Sequence, residues 1–310
     1  MSKNARLFLI LAGLNVAWAP VNLAVITAQQ SFSTGMIALA RWSIFCLVIW
    51  LSMASGNIRE MMQIRLPQGI DRWRAIGIGF FLIAPAHGLY YSALPMTSTG
   101  ESTVLNTTGP IWTALLAFLI LREVVGPRRW LAIGIGTLGS YFVAVGFSAP
   151  NLVQGHTAGN MIYLLGTLLE TLAMILAIKV IKASSGPGAL AYELIGASIS
   201  FALMPFIIPE RMQLSVAQVT PSAIGAMAYL VLIAGLFCFG VWYRLAEKAP
   251  VSLMVVSLGL QAPFGAFLGW WVRGEQITAA TAVGTVLILT ALCLAATEAK
   301  ESPVPDSVSA

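Results

Sequence analysis

Gly159-Asn-Met-Ile-Tyr-Leu-Leu-Gly-Thr-Leu-Leu-Glu-Thr-Leu-Ala-Met-Ile-Leu-Ala-Ile-Lys-Val-Ile181 is an apolar run whose two charges are Glu170 near its centre and Lys179 near its end. A helix needs about 20 mostly apolar residues to cross the hydrocarbon core of a bilayer. This run satisfies that need, and nine others resemble it in length and character, at 7–28, 34–54, 74–94, 99–121, 129–147, 188–208, 222–245, 250–272 and 278–297. Turn-type or polar residues divide them, among them Ser55-Gly56-Asn57, Gly126-Pro127, Ser184-Ser185-Gly186-Pro187 and Pro209-Glu210-Arg211. The expected fold class is therefore an all-α polytopic membrane protein of ten transmembrane helices.

Composition agrees. Of 310 residues, 58% are hydrophobic and 9% charged, against about 25% charged in soluble domains. Ten spans leave only short connections and no room for a separate soluble domain. The partner expected everywhere along the chain is the lipid bilayer. The net charge of +5 reflects membrane orientation rather than nucleic-acid binding, because the basic residues sit between the apolar runs. Cys46, Cys238 and Cys293 all lie inside apolar runs, where a free thiol behaves as a small hydrophobe. Neither a disulfide framework nor a metal or cofactor site is expected. Lys3 and Arg6 before Leu7 to Leu14 imitate a signal peptide, but Pro20 would directly follow the cleavage site, so this segment reads as the first span.

Positive charge tests the topology independently. Lys3, Arg6, Arg59, Arg65, Arg72, Arg74, Arg122, Arg128, Arg129, Lys179, Lys182, Arg244, Lys248 and Lys300 all fall on one side of a ten-span chain. Arg211 and Arg273 fall opposite, and Arg41 lies within a span. Both termini are thus expected in the cytoplasm, with the protein in the cell membrane. The chain also reads as duplicated, into 1–150 and 151–298, with 299–310 a disordered tail. Pro110 precedes Arg122-Glu123 much as Pro263 precedes Arg273-Gly274-Glu275, and Ala40-Arg41-Trp42 aligns with Tyr192-Glu193-Leu194. Five spans per half force the second half to enter the membrane from the opposite face, which gives two inverted repeats.

The run Tyr91-Ser-Ala-Leu-Pro-Met-Thr-Ser-Thr-Gly-Glu101, continuing through Pro110 to Glu123, and its second copy from Glu247 through Pro263 to Glu275, resemble the EamA-type members of the drug/metabolite transporter superfamily. The second glutamate stands one residue early relative to its proline. The Trp-Gly common in the first span of that family appears as Trp18-Ala19. The resemblance implies a basket around a central cavity lined mainly by spans 1, 3, 4, 6, 8 and 9. It also implies secondary transport, commonly export of amino acids or other small metabolites, although the superfamily includes importers.

Polar groups in hydrocarbon cost about 2.5–3.5 kcal/mol for a central charge, so those present should face the interior. Asn15, Trp18 and Asn22 share one helical face, as do Tyr163, Thr167 and Glu170. His87, Tyr90 and Tyr91 form a stripe on the third span, Ser102, Asn106 and Pro110 on the fourth, and Ser257 with Gln261 on the ninth. Two readings stand for this set: a substrate cavity with aromatic walls and polar anchors, or hydrogen bonding and packing between helices. Glu170 and His87 are candidates for proton coupling. Arg41 and Glu101 are candidates for an ion pair closing the outer face, with snorkelling of Arg41 to the interface as the alternative. Pro110 and Pro263 are gating candidates with two readings: they interrupt their helices and free backbone carbonyls toward the cavity, or they make a simple packing kink. Gly134, Gly136, Gly139 and Gly146 read as helix-contact residues, within or between protomers, so monomer and homodimer both remain open. No catalytic residue is expected: an intramembrane lipid-modifying enzyme needs a nucleophile with a base or clustered metal ligands, and neither is visible. The expected ligand is a small neutral or zwitterionic molecule.

Overall fold

The structure is a computed structural model that describes residues 3–61, 63–121, 126–147, 156–246 and 257–298. Parts of several segments, including Glu123, Glu247 and the tail 299–310, lie outside the described residues, as does most of the junction between the expected halves. Every apolar segment read from the sequence holds helix. Six are long and apolar enough to span a membrane by length and composition: Leu9–Ala28, Thr34–Ala54, Gly69–Met96, His156–Ala183, Gly186–Ile207 and Pro221–Ala246. The other four hold helix over Thr99–Asn106 with Gly109–Leu121, Pro127–Val145, Gln261–Arg273 and Ala279–Glu298. We number these ten segments as spans in chain order.

Capping residues explain where several spans begin. The side chains of Ser33, Ser98, Ser185 and Thr220 accept from the backbone N–H groups of Met36, Glu101, Gly188 and Ala223, satisfying donors that a helix start leaves open. Interruptions are equally sequence-driven. The first span breaks at Ala19-Pro20 and the fourth at Thr107-Thr108. The freed hydroxyls of Thr107 and Thr108 bond back to the carbonyls of Val104 and Leu105 at 2.7 Å each. Spans 3 and 8 widen into π-helix over Gly79–Ile83 and Tyr229–Phe239, a geometry that is rare and concentrates where helices do more than pack.

Correspondence between the halves is visible in the contacts. One and the same shift along the chain carries Ser33 to Ser185, Arg41 to Glu193 and Tyr91 to Tyr243. Each serine ties its span to a connection of the other half. Ser33 Oγ donates to the carbonyl of Gln213 and accepts from the N–H of Ser215 at 3.0 Å. Ser185 Oγ exchanges bonds with the carbonyl and N–H of Arg65, both at 3.1 Å. The two ties sit at opposite ends of the bundle, because Ser33 begins a span that ends close to the Arg59–Arg65 connection.

Spans 5 and 10 pack directly on each other. Of the four glycines read as contact residues, two serve that purpose. A Cβ on Gly139 would stand 2.8 Å from the carbonyl oxygen of Gly284, and one on Gly136 would strike Ile111 and Ala291. Gly134 has open space around it, and Gly146 ends its helix at φ +84°, a backbone region that favours glycine. Gly139→Ala is therefore expected to cost about 1–3 kcal/mol through overpacking, lowering the thermal unfolding midpoint in detergent. Gly134→Ala, in the same helix without a neighbour, should leave the midpoint unchanged or raise it.

Candidate functional site

The predicted polar residues converge in two networks and one charged cluster. In the first network Asn15 is fully buried and donates to Ser257 Oγ at 2.9 Å, while its own oxygen accepts from Gln261 Nε2 at 2.7 Å. Asn106 extends this chain to Gln261 Oε1 at 3.4 Å. Spans 1, 4 and 9 are joined by amide groups that each use donor and acceptor together. In the second network Asn22 donates to Ser102 Oγ at 3.0 Å and accepts from the Tyr163 hydroxyl at 3.2 Å, joining spans 1, 4 and 6.

The single stripe expected for Asn15, Trp18 and Asn22 is divided. Trp18 turns toward span 8, edge-on to Phe239 at 4.9 Å and Trp242 at 5.8 Å. The break at Ala19-Pro20 interrupts the periodicity between Trp18 and Asn22, while Asn15 and Trp18, on one unbroken helix, meet different neighbouring spans.

Glu170 stands at the centre of the charged cluster. Tyr90 donates to its Oε2 at 2.7 Å, and the rings of Tyr90 and Tyr163 are tilted by 37° with centroids 4.4 Å apart. His87 Nδ1 is 3.0 Å from the carbonyl of Ile83, which only accepts, so Nδ1 carries a proton. Its Nε2 faces Glu170 Oε1 at 3.8 Å, beyond hydrogen-bond range but close enough to form one when either side chain shifts. The pair can hold a proton on the carboxyl, with Nε2 bearing its lone pair, or on the imidazole. Trp42 stands edge-on to His87 at 4.5 Å, and its buried indole N–H has no hydrogen-bond partner.

Arg41 corrects both sequence readings of it. It does not snorkel, being 2% exposed, and it does not pair with Glu101. Its guanidinium donates to the Tyr91 hydroxyl at 2.5 Å and lies 5.8 Å and 6.0 Å from the Trp42 and Tyr91 ring centres, a cation–π arrangement. Among the described residues no carboxylate is within ion-pair distance of it. Glu101 instead meets His156 Nδ1 at 2.9 Å and accepts from Asn160 and Thr97, each at 3.3 Å. Sequence spacing put Arg41 and Glu101 at the same membrane face; it could not show that span 2 turns the guanidinium inward to span 3 and away from the start of span 4.

Pro110 and Pro263 fit the interruption reading and not the packing kink. Each falls in the first turn of a helix, Gly109–Leu121 and Gln261–Arg273, where a missing N–H costs nothing, so neither kinks a continuous helix. Two features had no sequence forecast. Glu275 accepts from Thr99 N at 3.0 Å, Thr99 Oγ1 at 2.9 Å and Gly100 N at 3.2 Å, placing a carboxylate on the start of span 4 and beside Arg273 at 2.8 Å. Glu193 is 1% exposed and accepts from Tyr243. Its position inside a span was the signal that could have found it.

Asn15→Leu is expected to cost about 1–3 kcal/mol by stranding the Gln261 amide, read as a lower unfolding midpoint. Asn15→Leu with Gln261→Leu should recover most of that loss.

Comparison with known proteins places this arrangement. A 149-residue stretch is 30% identical to "Uncharacterized transporter sll1319" of Synechocystis sp., spanning 46% of this chain and 44% of that one. "Uncharacterized transporter YdfC" of Bacillus subtilis is 23% identical over 277 residues, 89% of this chain and 86% of its own. A crystal structure at 15% identity shares the fold with a TM-score of 0.64, over 94% of this chain and 97% of the other. The EamA-like transporter family matches twice, at residues 5–145 and 157–297, and the chain belongs to that family.

Proposed function

We propose that the protein exports a small neutral or zwitterionic metabolite, amino acids foremost, from the cytoplasm in exchange for protons, by alternating access to a site around Glu170. The observation that carries this reading is the carboxyl of Glu170, held by Tyr90 and faced by His87, in the middle of span 6. A carboxyl placed there binds either a proton or a substrate ammonium group, and competition between the two is what exchange requires. Its side chain remains 28% accessible, against 8% for His87, so it is the more open of the pair to an arriving ligand. Arg41, a buried cation without a carboxylate partner among the described residues, supplies the complementary group for a substrate carboxylate. Aromatic rings of Trp42, Tyr90 and Tyr163 offer apolar walls between these ends.

The remaining assignments follow from this reading. Asn15, Asn22, Asn106 and Gln261 hold the wall of spans 1, 4, 6 and 9 in register, and Trp18 joins span 1 to span 8. The positive-residue bias puts both termini in the cytoplasm of a cell-membrane protein. Breaks in spans 1 and 4 and the π-helical stretches of spans 3 and 8 give the halves points at which to flex as the site changes face.

The test is uptake of labelled neutral amino acids into proteoliposomes with an acidic lumen. Protons leaving the lumen should drive amino acids in. Uptake should saturate, and Glu170→Gln should reduce its pH-driven part about tenfold, within the usual range of coupling between two ligands. Uptake that is equal with and without the gradient would make the protein a facilitator. Absence of flux for the whole panel would reject amino acids as the substrate class.

A further inference from the structure

A second carboxyl lies inside the bundle and takes no part in the site around Glu170. Glu193 is the eighth residue of span 7, roughly 10 Å along the helix axis from its start at about 1.5 Å per residue. That start is the end of the bundle where Ser185 meets Arg65, the basic face. The side chain is 1% exposed. Oε2 accepts from the Tyr243 hydroxyl, and Oε1 is buried with no hydrogen-bond partner. Span 3 packs backbone to backbone at this residue: a Cβ on Gly79 would overlap the Glu193 carbonyl oxygen.

The groups around it offer no compensating charge. Among the described residues no Lys or Arg lies within ion-pair distance of Glu193. Arg72, at the start of span 3, lies over the ring of the adjacent Tyr192 at 5.6 Å. On span 2, Arg41 is committed to Tyr91. On span 3, His87 and Tyr90 face Glu170. On span 8, Tyr243 makes the direct contact. An ionised Glu193 would therefore be an unpaired buried charge, worth several kcal/mol of destabilisation, with one oxygen bare as well. A neutral carboxyl escapes the charge cost.

The corresponding position of the first half sharpens the point. Arg41 donates to Tyr91 and Glu193 accepts from Tyr243, each tyrosine 50 residues after its partner. A guanidinium does not give up its proton under physiological conditions, whereas a carboxyl does. The halves thus carry a fixed charge at one position and an exchangeable one at its counterpart. We propose that Glu193 and Tyr243 form a second proton-exchange site, separate from Glu170, buried between the transport site and the basic face. Water reaching Glu193 when that face opens lets it ionise, and closure requires it to take a proton back. Its role in the transport cycle rests on the carrier reading above; its existence as a proton site does not.

Dicyclohexylcarbodiimide reacts with protonated carboxyl groups in apolar surroundings, and the experiment uses it on the full chain in lipid nanodiscs, with peptide mass spectrometry as the readout. Glu193 should be modified at about pH 6 and about tenfold less at about pH 9, as a titrating carboxyl requires. That titration should persist in Glu170→Gln, and Tyr243→Phe should move its midpoint. Failure to modify Glu193, modification that is constant across the range, or loss of the titration in Glu170→Gln would each overturn the proposal. Labelling needs no substrate, so a negative amino-acid panel and a negative Glu193 result are separate outcomes.

Discussion

Inside a bilayer a polar group that lacks a partner in the protein finds none in the solvent. Much of this fold follows from that constraint. Asn15, Gln261 and Asn106 pair with one another across three spans because each amide offers a donor and an acceptor that hydrocarbon cannot serve. The threonines at the break in span 4 bond back to their own helix for the same reason. Helix starts carry serine or threonine caps, and the start of span 4 additionally receives the Glu275 carboxylate. What the membrane forbids outside, the bundle supplies inside, and the polar interior that results is available for a ligand.

Against this background the few groups left unsatisfied stand out. Among the described residues the indole N–H of Trp42, one oxygen of Glu193 and the Ser198 hydroxyl are buried without hydrogen-bond partners, and Arg41 has no carboxylate partner. Trp42 and Arg41 are neighbours at the central cluster. Glu193 lies apart, against span 3 and Tyr243, with Ser198 farther along the same span.

Much of the architecture was legible in the sequence because hydropathy and positive charge are properties of segments, and the membrane acts on segments. Helix positions and the polar faces that carry Glu170, His87, Asn15 and Gln261 follow from counting residues; which face meets which does not. Orientation was less legible. The stripe of span 1 is shared out among different neighbouring spans, a choice that periodicity along one helix does not make, and Arg41 turned inward because the Tyr91 hydroxyl and two rings offered it more than the interface did. Interruption and kink both stood open for Pro110 and Pro263 since apolar runs continue through them; the helices restart there. Glu275 reaching Thr99 across the bundle joins residues far apart in the chain, and no local pattern announces such a contact.

The two serine ties have a consequence for permeability. Ser33 holds one end of the bundle closed across the halves, and Ser185 holds the other. Parting the halves at one end sacrifices one tie and leaves the second as a pivot. Parting both ends together would forfeit both ties. Opening at both ends at once is thereby penalised relative to opening at one end, by bonds that lie at the two rims of the bundle.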